Sequence, residues 1–207
     1  SLEILRQQAL SSVDMLREKW LVALLSGSVD TADAIEQARA HGLDLISRCF
    51  AVIIANLTFD GDDFQELAKA NRTMLAYASQ FPDTIAFSPS GDRIVIIIKG
   101  TTVESIEEST YAIAQGIKYE TERNTRCAVA VGIGSTVERV GGLPVSYAEA
   151  ARSIQYLAAA GRRGIMGIQD IQSIDEADLV KLGTDPVVDK LRYMTRVDID
   201  CFVDQYM

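Results

Sequence analysis

The chain is poor in the side chains that build metal and nucleophile sites. It has one histidine, His41, among 207 residues. That argues against a metal centre. His41 stands beside Gly42, where a helix is expected to end, so a structural role is the plainer reading. Cysteine is also scarce. Cys49, Cys127 and Cys201 are far apart, odd in number, and form no C-x-x-C pair. Each sits among apolar neighbours, as buried free thiols do in a reducing cytoplasm. Basic charge is short as well: 20 Lys and Arg against 29 Asp and Glu leave a formal net charge of -9. A face that grips nucleic acid needs cations, so the acidic balance argues against this segment being the part that grips DNA, and against an anionic membrane surface. No apolar run reaches the roughly 18 residues of a membrane span, and no signal peptide is present. The chain does not begin with Met and reaches Met207 inside an amphipathic pattern. It is therefore expected to be a fragment of a longer protein.

What is present is the composition of a globular domain, 48% hydrophobic and 24% charged. The length allows a full core without disulfide or metal staples. The organising stretch runs from Ile85 to Ile98. Two apolar arms flank the polar turn Ser88-Pro89-Ser90-Gly91-Asp92, rich in turn formers. The second arm, Ile94-Val95-Ile96-Ile97-Ile98, is β-branched throughout, which suits a strand buried on both faces in the middle of a sheet.

Around this hairpin the patterns alternate. Apolar residues at three- and four-residue steps predict a helix over 2–26, ended by Gly27. Its Trp20–Leu25 end reads as core, and its sparser Leu2–Val13 end as an interaction arm. Asp30 or Thr31 begins a second helix that stops at Gly42. Phe50–Leu57 reads as a buried strand. Asp60-Gly61-Asp62-Asp63 reads as a turn and helix cap before a helix over 63–80, with Phe64, Leu67, Ala68, Met74, Leu75 and Ala78 on its apolar side. A helix over 103–123 follows, with Ile106, Tyr111, Ile113, Ala114, Ile117 and Lys118 at helical spacing. Cys127–Gly134 reads as a strand. Ser146 caps a helix over 147–160, with Glu149 completing a capping box. A short strand, Ile165–Ile168, ends the series. Past Ile171, further helical segments are expected around Val187–Val197 and Ile199–Val203.

The order β-α-ββ-α-β-α-β, with Ser90-Gly91-Asp92-Arg93-Ile94 in the hairpin, resembles the nucleotidyl-cyclase fold of GGDEF domains. Val129-Ala130-Val131-Gly132-Ile133-Gly134 is similar to that family's later strand. Tyr147–Ala151 through Gly161-Arg162-Arg163-Gly164-Ile165 is similar to its next helix and turn. A narrower likeness lies in Gly132-Ile133-Gly134 followed by Leu143-Pro144-Val145-Ser146-Tyr147-Ala148-Glu149-Ala150. It resembles degenerate GGDEF-like domains of bacterial transcription regulators, among them AraC-type two-component response regulators and sugar-diacid and purine-catabolism regulators. Glu18–Leu21 with Leu24–Gly27 resembles the helix that opens this segment, and Val197–Asp204 the helix that leads to the DNA reader. The resemblance implies an α/β (α+β) fold: a mixed, mainly antiparallel central sheet with helices packed on it, flanked by N- and C-terminal helices. It implies residues 1–44 as a helical linker and dimerisation segment, 45–171 as the degenerate GGDEF-like domain, and 172–207 as a helical lead to a DNA-binding domain.

The resemblance also locates a site. A diguanylate cyclase holds a divalent cation and triphosphates with carboxylates and glycine backbone. The strand-end aspartate of that family falls at Asn56, and the neighbouring acid position at Thr58. The first glycine of the hairpin motif is Ser90; Gly91 and Asp92 remain; the motif glutamate is Arg93. Asn56, Ser90, Gly91 and Asp92 thus outline a vestigial cleft, and neither a catalytic residue, a metal nor a cofactor is expected there. Competing candidates have plainer roles. Asp60, Asp62 and Asp63 suit a helix N-terminus. Gly132-Ile133-Gly134 and Gly141-Gly142 match no phosphate-loop motif and suit a strand end and a turn. Cys127 has no histidine near it in sequence. Arg162-Arg163 complement a helix C-terminus, or meet a phosphate or an acidic partner.

The expectation drawn from all this is a non-enzymatic, cytoplasmic central domain of a response regulator. It would self-associate as a homodimer and relay a signal from a receiver to a helix-turn-helix domain, touching DNA only through the latter. A small-ligand or nucleotide sensor is the alternative, and an active diguanylate cyclase the third reading.

Overall fold

The computed structural model describes residues 2–173 apart from Thr31, Asp60 and Asp62, and for residues 2–11 the backbone only. The helices expected beyond 173 lie outside the described residues. Two compact units are distinguished, Ser1–Ile168 and Gln169–Met207. The first holds all the elements below; of the second, residues 169–173 are helical.

The elements follow the expected order: α1 (Leu2–Leu25), α2 (Ala34–Ala40), β1 (Cys49–Thr58), α3 (Phe64–Ala78), β2 (Thr84–Ser90), β3 (Arg93–Gly100), α4 (Val103–Asn124), β4 (Ala128–Ile133), α5 (Leu143–Ala159) and β5 (Ile165–Gly167). The sheet order is β2-β3-β1-β4-β5. β1 pairs antiparallel with β3 and with β4, β2 with β3 likewise, and β4 with β5 in parallel. The sheet is therefore mixed and mainly antiparallel. β3 lies second from the edge and β1 takes the centre, yet Ile94–Ile98 are buried on both faces as their composition requires.

Strand alternation separates two cores. Phe50, Val52, Ile54, Val95 and Ile97 face one side, with Trp20, Leu21, Leu24 and Leu25 of α1, Ala34 and Ala38 of α2, and Ala150 and Ile154 of α5. Ile53, Ala55, Ile94, Ile96, Val129 and Val131 face the other, with Met74 of α3 and Ile113 and Ile117 of α4. Each of the Val, Leu, Ile, Phe and Met side chains among them contributes about 1.5–3 kcal/mol by leaving water, and each Ala less. The double-sided β1 and β3 thus tie three layers into one unit. The glycines expected to stop helices do so: Gly27, Gly42 and Gly161 have φ of 75°, 69° and 60°.

Three local expectations are corrected. α3 buries Ala70, Asn71, Met74 and Ala78, while Phe64 is 82% exposed and Ala68 faces water. On α4 the buried stripe runs through Thr110 and Thr121, and Tyr111 is exposed. α5 begins at Leu143, with Gly142 as its N-cap and Pro144 in its first turn. Proline is preorganised for a helix start, and it carries the helix past the Ser146 signal. Ser146 is then free to bond elsewhere: its Oγ accepts from the Val52 N–H of β1 at 3.0 Å. Glu149 caps nothing. Its carboxylate accepts from the Ser135 N–H at 2.8 Å and from the Ser135 hydroxyl, fastening the loop that leaves β4.

Candidate functional site

The residues of the expected cleft come together at one end of β1. Asn56 is half-buried and lies opposite Arg93 in the β1–β3 register. The Arg93 Nε–H donates to Asn56 Oδ1 at 2.8 Å. Ser90 ends β2, and Gly91 and Asp92 form the exposed turn. The Ser90 hydroxyl donates to Asp92 Oδ1 at 2.7 Å, so the aspartate is engaged by its neighbour's side chain. The Asp92 carbonyl accepts from the Leu57 N–H at 2.7 Å, which lashes the turn to β1.

A second fastening comes from a residue that the sequence reading passed over. Asn71, buried on α3, donates through Nδ2 to Ser88 Oγ at 2.8 Å and to the Gly91 carbonyl at 3.2 Å. The Ser88 hydroxyl in turn reaches the carbonyls of Ser90, at 2.7 Å, and Arg93, at 3.0 Å. A polar residue set among Ala70, Met74 and Ala78 was the available signal, because a buried amide needs partners. Thr58 is exposed, and its Oγ1 donates to the Ala128 carbonyl of the neighbouring strand at 3.4 Å.

These groups do not fit a hard divalent cation. Such an ion needs several oxygen donors, carboxylates foremost. Asn56 is neutral and its oxygen is already taken by a guanidinium, whose charge repels a cation. The arrangement suits an anion better: Arg93 is held in place beside an exposed turn. Among the described residues no group of three His, Cys, Asp or Glu side chains comes together. Asp60 and Asp62 lie outside the described residues.

The other candidates sit elsewhere. Asp63 caps α3 through the Gln65 N–H, at 3.0 Å, and pairs with Arg126 at 3.4 Å. Gly132 and Gly134 face α5, and a Cβ on either would run into the carbonyl oxygen of Ala150 or of Ser146. They are contact points between helix and strand. Gly141 and Gly142 form a short 3₁₀ turn before α5. Cys127 is buried, and burial pushes its thiol pKa up, with smaller opposing help from Thr125. That suppresses the thiolate that a nucleophile needs. Cys49 is likewise a buried free thiol; Cys201 lies outside the described residues. His41 stacks on Trp20, with ring centroids 5.3 Å apart, and the Trp20 Nε1–H donates to Gln37 Oε1 at 3.0 Å. Arg162 and Arg163 are exposed past the end of α5.

A five-stranded mixed sheet between two helical layers, with the β2–β3 hairpin turning at one end of its central strand, defines the nucleotidyl-cyclase-like class of α/β domain. A family model described as GGDEF-like domain matches residues 26–156. The chain belongs to the GGDEF-like domain family. A search of curated proteins gives no match. Among solved structures, the chain is similar to the GGDEF domain of DgcB from Caulobacter crescentus in complex with c-di-GMP, at 10% identity and a TM-score of 0.41, covering 65% of this chain and 83% of that one. It is similar to the active GGEEF domain of a diguanylate cyclase from Vibrio cholerae, at 13% identity and a TM-score of 0.41, covering 64% and 88%. It is also similar to the coiled coil and GGDEF domain of DgcB with c-di-GMP, at 13% identity and a TM-score of 0.41, covering 81% and 99%.

The family match corrects the expectation that the chain is not an enzyme: the GGDEF-like family model covers residues 26–156. The physical reason is that the charges changed at Asn56, Ser90 and Arg93 concern three positions, on β1 and the hairpin, and three positions do not decide the activity of a whole domain. Among the described residues, no helix is long and apolar enough to cross a membrane.

Proposed function

We propose that the chain is the central regulatory domain of a cytoplasmic bacterial transcription regulator, an AraC-type two-component response regulator. In this reading it self-associates as a homodimer and relays a signal from a receiver to a helix-turn-helix DNA reader. Residues 1–44 serve as linker and dimerisation segment, 45–171 as the GGDEF-like domain, and 172–207 as the lead to the DNA reader. The observation that carries the reading is the two-part character of α1. Val13, Leu16, Trp20 and Leu24 lie on one helical stripe. Trp20 and Leu24 are buried against the sheet, whereas Val13 and Leu16 are 58% and 59% exposed. The stripe that anchors the helix in the core thus continues outside it, where a second copy of the same helix would cover it. A displacement of that outer part is passed to the Trp20–Leu25 core contacts, because close-packed interiors transmit strain. Light scattering after size exclusion tests the association. The parent chain is expected to be dimeric, and Val13→Asp with Leu16→Asp monomeric with an unchanged fold. A parent chain that stays monomeric at high concentration sinks the reading.

A second reading is supported by the hairpin: a small-ligand or nucleotide sensor. Arg93 is oriented by Asn56, and the turn is fastened by Asn71 and the Leu57 N–H, so a cation is held ready at little further ordering cost. Titration with GTP and with c-di-GMP, read by thermal shift, is expected to stabilise the parent chain and not Arg93→Ala. The same incubation with magnesium and GTP, read by chromatography, reports directly on cyclase activity. No shift with either nucleotide removes the sensor reading.

A further inference from the structure

The end of β1 opposite the hairpin holds a second concavity. Asn56 lies seven steps along the strand from Cys49, so at ~3.3 Å per residue the two positions are about 23 Å apart. A cavity of about 570 Å³ there is lined by Ser47, Arg48, Cys49, Thr101, Thr102, Val103, Glu138 and Arg139. A second, of about 380 Å³, shares Ser47, Glu138 and Arg139 with it and adds Ile35, Leu45, Ile46 and Val140. The pair forms one cleft with a cationic half and an apolar half.

The fold builds this cleft from four segments. Phe50 and Val137 exchange backbone hydrogen bonds of 2.7 and 2.8 Å, which brings Glu138 and Arg139 alongside the start of β1. The Ser47 hydroxyl donates to the Gly100 carbonyl at 2.8 Å and closes the floor. Thr102 caps α4 by accepting from the Ser105 N–H, so the positive end of that helix opens at the rim. Lys99, on β3, is paired with Asp44 at 3.6 Å. The Asp44 carboxyl is held below its usual pKa, first by the Ile46 N–H and also by Lys99, against some desolvation. Arg48 and Arg139, by contrast, have no side-chain partner among the described residues. Among the described residues the only carboxylate in the lining is Glu138, and Glu104 sits in the first turn of α4 outside it. Two guanidinium groups against one acid stand out on a chain of net charge -9. Ile35 and Ile46, 40% and 58% exposed, lie in the apolar half beside them.

We propose that this cleft binds a small organic anion with an apolar body. Its carboxylate or phosphate would sit between Arg48 and Arg139 at the start of α4, and its apolar part on Ile35 and Ile46. Guanidinium forks recognise both anions through paired N–H donors, and the volume is in the range of small-molecule sites. The site is independent of the hairpin and of either reading of it.

Backbone amide NMR titrations with benzoate, phenyl phosphate, inorganic phosphate and uncharged benzyl alcohol test the proposal. Benzoate or phenyl phosphate is expected to give saturable shifts confined to residues 45–49, 101–104 and 138–141. The tighter of the two identifies the anion. Inorganic phosphate and benzyl alcohol, each offering half the chemistry, are expected to bind at least about tenfold more weakly. Arg48→Gln with Arg139→Gln, exposed positions that should leave the melting temperature unchanged, is expected to weaken binding by more than about tenfold. Absence of saturable shifts with both organic anions overturns the proposal. So does equal binding of benzyl alcohol, undiminished binding by the double variant, or shifts centred on the hairpin.

Discussion

Two glycine-bearing segments, the seam between β4 and α5 and the turn between β2 and β3, look alike as sequence and differ as structure. Each puts glycine and serine beside a β-branched strand. At the seam, Gly132 and Gly134 are buried and the backbone of α5 lies where their side chains would be. In the turn, Gly91 has open space around it and an ordinary negative φ. The seam's glycines are there for close approach. The turn is held by hydrogen bonds from outside it, to Asn71 and to Leu57. Stability therefore concentrates at the seam, and freedom to change concentrates at the turn.

The largest effect that tests this contrast is expected from Gly134→Ala. The added Cβ falls on the carbonyl group of Ser146, in the first turns of α5, and backbone cannot swing aside as a side chain can. Overpacking costs about 1–3 kcal/mol and more where the backbone must shift. A loss of about 3 kcal/mol, or failure to fold, is expected in urea unfolding. A loss under about 0.5 kcal/mol, the range of neutral surface changes, would mean that helix and strand are not in close contact here. Ser146→Ala comes next. It removes the Oγ that accepts from the buried Val52 N–H, and an orphaned buried donor costs about 1–3 kcal/mol. Ser146→Thr keeps the acceptor but adds a methyl group at a fully buried position. If the alanine variant proved neutral, the hydrogen bond between α5 and β1 would not be contributing.

How far the sequence foretold this contrast depended on which signals were local. Helix stops at Gly27, Gly42 and Gly161 were legible because a positive φ is a local demand that glycine meets. The double-sided burial of Ile94–Ile98 was legible because five β-branched residues in a row leave no solvent face. The start of α5 was misjudged: Ser146 with Glu149 has the spacing of a capping box, but Pro144 initiates the helix earlier. Both side chains then serve partners far off in sequence, Val52 and Ser135. Of the expected cleft, Asn56, Ser90, Gly91 and Asp92 lie together at one end of β1, a nearness that follows from strand register. Asn71 was missed because its partners, Ser88 and the Gly91 carbonyl, are 17 and 20 residues away and meet it only through packing of α3 on the sheet.

At the turn the expected effects are smaller and separate fastening from composition. Asn71→Ala removes two hydrogen bonds that join α3 to the turn. Ser88 keeps its carbonyl partners and the Gly91 carbonyl gains access to water, so about 1 kcal/mol is expected. The change should also show as faster amide exchange at Gly91 and Asp92. A loss as large as that of Gly134→Ala would erase the contrast. Gly91→Ala is the weakest perturbation and the sharpest discriminator. If glycine were required in the turn for its backbone, alanine would be strained there. The φ is not positive and no atom lies within 4 Å of the added Cβ. Alanine also narrows the unfolded ensemble, which offsets small losses in the native state. The melting midpoint is thus expected to stay within about 0.5 kcal/mol of the parent. Any ligand response of the hairpin that this substitution abolishes while stability holds would then come from close approach of a ligand to the Gly91 backbone, the one role that the folded chain by itself leaves open for that glycine.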